Sequence, residues 1–149
     1  MSATNQFEQD LLDLIFTNVA APNVGDVAGL PPSVGATSVQ VSLHTAALTE
    51  AATTPVTSEA AYTGYGRELV ARSAAGWTVA SPGGVGTVDN DALITFGTST
   101  TSETETDFGL TLMSTGVYLG IYGALTSSLA VSNGVTPEFA IQALAITLD

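Results

Sequence analysis

The 149-residue chain has no cysteine, no lysine and a single histidine, His44, and its whole stock of permanent cations is Arg67 and Arg72. Each absence removes a class of chemistry. Without cysteine there is no disulfide and no thiolate nucleophile, and one histidine cannot furnish the usual Cys/His ligand sets of a structural zinc site. A hydroxyl nucleophile needs a base to activate it, and the base is usually histidine. One such triad at most is available, and no acid and nucleophile stand at a recognisable spacing from His44. No catalytic residue, cofactor site or metal site is therefore assigned. Long apolar runs are also missing. The longest, Gly116 to Leu125, is too short to cross a bilayer and is interrupted by glycine and tyrosine. Glu8, Asp10 and Asp13 occupy the place where a secretory leader would carry its basic residues, so the expectation is a soluble chain made in a cytoplasm, with no membrane partner.

Fourteen acids against two arginines give a formal net charge of −12. Nucleic-acid affinity comes largely from cations that neutralise phosphates, so a nucleic-acid partner is not expected. On a particle filled with DNA, such a charge suits the outer side. It also serves plain solubility.

The length fits one domain with a real apolar core, and hydrophobic residues make up 45% of the chain. Charged residues are 11%, so threonine, serine, asparagine and glutamine supply much of the polar surface, a composition suited to strands and turns. One helical pattern is visible, from Asn5 to Thr17. Phe7, Leu11, Leu14 and Ile15 recur at i, i+4, i+7 and i+8, with Glu8, Gln9 and Asp13 opposite and Asn18 and Pro22 marking the end. A helix this short needs its apolar stripe docked, on its own chain or on a neighbouring subunit. Ala21 to Ala36, rich in proline and glycine, reads as an extended connector.

Strand patterns follow. Val39, Val41 and Leu43 alternate with Gln40, Ser42 and His44, the period of a half-buried strand that leaves His44 on the polar side. Further strands are predicted at Glu68–Arg72, Trp77–Ala80, Ala92–Phe96, Phe108–Met113, Val117–Leu125, Leu129–Val131, Glu138–Ile141 and Leu144–Leu148, separated by clusters such as Ser81-Pro82-Gly83-Gly84 and Ser132-Asn133-Gly134. Seven to nine short strands with frequent turns predict an all-β fold, a β-sandwich of jelly-roll or immunoglobulin-like type with one short N-terminal α-helix. The expected organisation is a single domain, with 1–37 as helix and arm and 38–149 as sandwich.

These stretches also resemble something known. Leu11-Leu12-Asp13, Val39 to Thr45, Tyr62-Thr63-Gly64-Tyr65-Gly66-Arg67, Ile94-Thr95-Phe96, Tyr122-Gly123-Ala124-Leu125-Thr126 and the closing Ile146-Thr147-Leu148-Asp149 together are similar to a family of small tailed-phage virion proteins. That family is described as phage tail fibre proteins and overlaps with capsid cement or decoration proteins. Gly66 departs from it, since members usually have alanine before the arginine. The resemblance implies a virion component with an all-β core, no cofactor and no reaction. The leading expectation is a capsid cement or decoration protein, a homotrimer on the outside of the major capsid shell. The alternative is a tail or fibre component that binds a host glycan, for which Trp77, Tyr62 and Tyr65 would be the stacking platform, although a lone tryptophan beside a strand is more often core.

Several polar groups invite function. Glu103, Glu105 and Asp107 recur at i, i+2, i+4 and would share one face of a strand, where like charges require solvent, a cation or a basic partner. A solvated loop is the first expectation, a partner-facing patch or a calcium site the alternatives. Asp89-Asn90-Asp91 reads as a turn. Arg67 and Arg72 are expected to pair with nearby acids or a sister subunit, and Arg67 could stack on an aromatic ring. The candidate interface residues are Phe7, Leu11, Leu14, Ile15, Arg67, Glu103, Glu105 and Asp107, and Leu144 to Leu148 is a candidate edge strand for pairing across subunits.

Overall fold

The computed structural model describes residues 3–25, 27, 29–34, 38–112 and 119–148. A short helix, α1 (Asn5–Leu12), runs into a π-helical turn (Asp13–Thr17) and is followed by nine strands among the described residues: β1 (Ser38–His44), β2 (Glu68–Ala71), β3 (Trp77–Ala80), β4 (Gly86–Asn90), β5 (Ile94–Thr95), β6 (Glu103–Thr111), β7 (Leu119–Val131), β8 (Glu138–Phe139) and β9 (Ala145–Leu148). They form sheets of order β2-β1-β6-β7, β3-β4-β9 and β5-β8. The fold is thus all-β with one N-terminal helix, the composition of the β-sandwich class. The chain divides into two compact units, one of Met1–Thr37, Ala71–Leu93 and Phe139–Asp149, the other of Ser38–Val70 and Ile94–Glu138.

In the first unit α1 lies against β4 and β3. Phe16 and Trp77 are both fully buried, and their rings meet edge to face with centroids 4.9 Å apart. Leu12, Val88 and Leu144 complete the apolar centre. The helix comes close because residue 86 is glycine: a Cβ there would sit 2.8 Å from the Glu8 Cβ and 3.1 Å from the Leu12 Cδ1.

The predicted helical stripe is rotated. The buried positions are Glu8, Asp10, Leu12 and Phe16, whereas Phe7 is 43% exposed and Leu11, Leu14 and Ile15 are half-buried. Two causes act together. The π-turn over Asp13–Thr17 breaks the 3.6-residue period for Leu14 and Ile15, and within α1 the buried carboxylates are satisfied, which removes the usual penalty for burying them. Glu8 Oε2 accepts the Gly86 N–H at 2.8 Å. Asp10 accepts from Gln6 Nε2 at 2.7 Å and from Asn23 Nδ2 at 3.0 Å. The helical segment ends where Asn18 adopts the left-handed conformation, as its sequence predicts. There Arg72 donates to the carbonyls of Leu14 and Ile15 and to Ser33 Oγ, a cation at the negative end of the helix. Asn18 and Ser33 hydrogen-bond reciprocally, and Ala21 pairs with Leu30. The stretch predicted to be an extended connector is instead folded back on itself there.

In the second unit β1 and β6 pair antiparallel from Gln40↔Thr111 to His44↔Asp107, and β6 pairs with β7 from Glu103↔Val131 to Thr111↔Leu119. Val39, Val41, Leu43, Leu110, Leu119 and Val131 are buried along this sheet. The predicted alternation holds over Ser38–Val41 and then fails, because Ser42 and His44 are buried as well. Asp107 in register with Ala124 and Glu105 with Leu129 make a wide bulge in β7. Two predicted strands, Val117–Leu125 and Leu129–Val131, are therefore one strand over their described part, and residues 113–118 lie outside the described residues. Asp89 and Asn90 belong to β4 and not to a turn. Asn90 is fully buried, donating to the carbonyls of Ala92 and Ala140 and accepting the Leu144 N–H, so an apparent turn residue ties three backbone stretches together.

Candidate functional site

The carboxylates expected in a solvated loop stand on β6, well inside the second unit. Glu103 is half-buried, Glu105 is 0% exposed and Asp107 is 5% exposed. As the i, i+2, i+4 spacing requires, all three face one side of the strand. The correction is physical: threonine at the alternate positions 104 and 106 gives this acidic stretch a strand's period, and each acid meets a different local fate.

Glu103 Oε2 accepts the backbone N–H groups of Ala61 and Tyr62, at 2.8 and 2.9 Å. Asp107 Oδ2 accepts from Thr106 Oγ1 at 2.7 Å. Neither carboxylate oxygen of Glu105 has a hydrogen-bond partner among the described residues, and the same holds for the buried Tyr62 hydroxyl. Burial first, and the adjacent Glu103 carboxylate second, push the Glu105 carboxyl up to about 7. Burial, with Glu105, Glu68 and Glu103 nearby, pushes the Tyr62 phenol up to about 12.

Opposite Asp107, His44 is fully buried, which corrects its expected place on a polar face. Its Nδ1 lies 2.8 Å from the Thr57 carbonyl, which can only accept, so Nδ1 bears the proton and Nε2 accepts from Ser42 Oγ at 2.8 Å. Gly109 makes room for the pair, since a Cβ there would lie 2.8 Å from Nε2 and 2.9 Å from Ser42 Oγ. Burial lowers the His44 pKa, against the raising effects of the Thr57 bond, Glu59 and Asp107. A hydroxyl bonded to a neutral imidazole is the pairing that activates a nucleophile. Here both residues are 0% exposed and both lie on β1; Ser42 Oγ is 3.2 Å from the Gly109 carbonyl of β6, and His44 Nδ1 holds the Thr57 carbonyl, so the pair ties β1 to its two neighbours.

Arg67 forms a two-pronged pair with Glu59, Nε to Oε1 at 2.6 Å and Nη2 to Oε2 at 2.8 Å. Tyr65 donates its hydroxyl to the same Oε1 at 3.0 Å and accepts the Leu43 N–H at 3.2 Å. Desolvation raises the Tyr65 phenol well above its ordinary range. Arg67 thus finds its acid within its own chain, the first of the expected alternatives.

The site residues read from sequence fall into two groups. Phe7, Leu11, Leu14 and Ile15 belong to the first unit, and Arg67, Glu103, Glu105 and Asp107 to the second. Within the second, the acids line one strand and each group has a separate task. Glu59 and Ser42 were missed, because neither has a spacing that distinguishes it from surface residues. Of the aromatic platform, Trp77 is 0% and Tyr62 4% exposed, so neither offers a free ring face. Among the described residues no three His, Asp or Glu side chains come together as a metal site, and no helix is long and apolar enough to cross a membrane.

No curated protein matches the chain. A family model does: the one described as Podophage GP4 fiber I protein gp80 covers residues 2–147, nearly the whole length. An all-β chain whose single Ser–His pair is sealed in the core, and whose resemblance to tail fibre proteins was carried by residues spread from Leu11 to Asp149, thereby belongs to the podophage fibre I protein family, a family of phage virion structural proteins.

Proposed function

We propose that this protein is a non-catalytic fibre component that works by adhering to neighbouring virion proteins as a homo-oligomer, a homotrimer being the natural form. The observation that supports this reading is an uncharged strand at a sheet margin. β7 stands at the margin of its sheet, and its residues Leu119–Val131 include no charged side chain and no proline, although the chain carries a net charge of −12. Natural edge strands are commonly blunted by charge, proline or a bulge, and β7 has only the last, so its regular stretches on either side of the bulge favour strand addition from a neighbour. β9, at the margin of the three-stranded sheet, is a shorter edge of four residues. The half-exposed Phe7, with Leu11, Leu14 and Ile15 behind it, offers an apolar patch for the same purpose. Binding of a host glycan by Trp77 and Tyr62 is not favoured, since both rings are packed away.

The second reading is a cement protein on the capsid exterior, contacting the major capsid protein. The charge favours it, because a −12 subunit placed inside would be pressed against packaged DNA. Gold labelling of intact particles separates the two. Label confined to the tail or fibres supports the fibre reading. Label spread over the shell at hundreds of sites replaces it with the cement reading.

A further inference from the structure

We propose that Glu105 is a proton-dependent latch for segment 59–66, which stays seated on β6 while Glu105 is protonated and is released when that proton leaves. Three observations converge on it. Both Glu105 oxygens are buried and reached by no donor among the described residues, with the Glu103 carboxyl alone close enough to share the Glu105 proton, an arrangement that a neutral carboxyl tolerates and a carboxylate does not. Glu103, two residues away on the same face of β6, is the anchor of the segment, holding the Ala61 and Tyr62 N–H groups on one oxygen. Tyr62 itself is 4% exposed, and its hydroxyl is also without a partner.

The charges around Glu105 all work in one direction. On β6 the neighbours are Glu103 and, beyond it, Asp107. Segment 59–66 contributes Tyr62, Tyr65 and Glu59, the last neutralised by Arg67. From β2 comes Glu68, which acts on Tyr62. On β7 the register partner is the uncharged Leu129. Among the described residues no cation acts on Glu105, and the nearest arginine of this region, Arg67, is held by Glu59. When Glu105 ionises, its charge is buried, without a donor among the described residues, and lies beside Glu103. Water reaches it once the segment carrying Tyr62 lifts off, and that opening breaks the two Glu103 bonds.

The sign follows from the raised pKa. A carboxyl at about 7 in the closed form and near its ordinary 4.5 in the open form favours closure fully below 4.5 and loses that advantage as pH rises to about 7. The test is amide hydrogen exchange on the whole protein, corrected for the intrinsic pH dependence of exchange, with a 13C titration of the glutamate carboxyls by NMR. Between pH 5 and pH 8 the protection of the Ala61 and Tyr62 amides should fall about tenfold or more, while the Gly86 amide, held by Glu8 in the other unit, reports any general loss of fold. In Glu105→Gln the protection should stay level over that range. A Glu105 carboxyl that titrates at its ordinary value overturns the proposal. So does a titration near 7 with unchanged Ala61 and Tyr62 protection, an equal fall in Glu105→Gln, or a fall at Leu129 and Ala130 in place of Ala61 and Tyr62.

Discussion

Replacing Leu12 by alanine should destabilise the first unit far more than the same change one residue earlier, at Leu11. The pair is informative because the apolar period of the sequence assigns Leu11 to the buried stripe and leaves Leu12 unassigned, whereas the structure leaves Leu12 2% exposed and Leu11 half-buried. Both variants end in alanine, the best helix former, so helix propensity barely distinguishes them. Leu12 lies where α1 comes closest to β4, its Cδ1 3.1 Å from the position a Gly86 Cβ would take, so the backbones are already near contact and cannot close further over a cavity. A leucine removed from a site that cannot collapse costs about 3 kcal/mol, within the usual span of roughly 2–5. At Leu11 part of the side chain is already in water, and the loss should be about 1 kcal/mol or less. For a chain of this size that is a fall in Tm of about 6–12 °C for Leu12→Ala against about 4 °C or less for Leu11→Ala. Trp77 is the single tryptophan and packs on Phe16 in the same unit, so its fluorescence during thermal or urea unfolding reads this unit directly. Equal losses, or a larger loss for Leu11→Ala, would refute the rotated packing and restore the stripe read from sequence.

Other outcomes follow from the same structure. Glu59→Gln should lower stability by about 1–2 kcal/mol in urea unfolding, because it leaves Arg67 with half of a two-pronged pair and removes the charge that Tyr65 donates to. His44→Ala removes the donor to the Thr57 carbonyl, leaves Ser42 Oγ only the Gly109 carbonyl, and opens space beside Gly109, at a cost of about 2–3 kcal/mol. His44 also sets an acid limb: its folded pKa lies below 6.5, so its contribution is present above 6.5 and is lost as pH falls from there toward the folded value. A His44→Gln variant whose stability falls equally between pH 6.5 and 5 would show that this limb belongs to another group. Gly86→Ala places a methyl 2.8 Å from the Glu8 Cβ and should loosen α1, seen as faster exchange at the Gly86-equivalent amide and a red-shifted Trp77 emission.

How far the sequence could be read depended on what each signal reports. Strand periods at Val39–Leu43 and Trp77–Ala80 place those strands well, because apolar alternation records burial on one face directly. The acids of β6 misled for the same reason. A pattern reader treats carboxylates as solvent-seeking, and nothing local signals that Glu103 will find two backbone donors forty residues away in sequence. Glu8 is the parallel case in α1, its burial made possible by an amide on β4. The face beyond Leu12 is shifted by a π-turn, a single inserted residue per turn that leaves no compositional mark. Arg67 was read as pairing with an acid, but the identity of that acid, Glu59, required the fold.

The central claim is that the protein is a structural part of the phage particle. Quantitative mass spectrometry of gradient-purified virions, calibrated against a portal or capsid protein, tests it most directly. The account predicts the chain in every intact particle at a fixed copy number that is a multiple of its oligomer. A protein abundant in infected-cell lysate but absent from purified particles would contradict it.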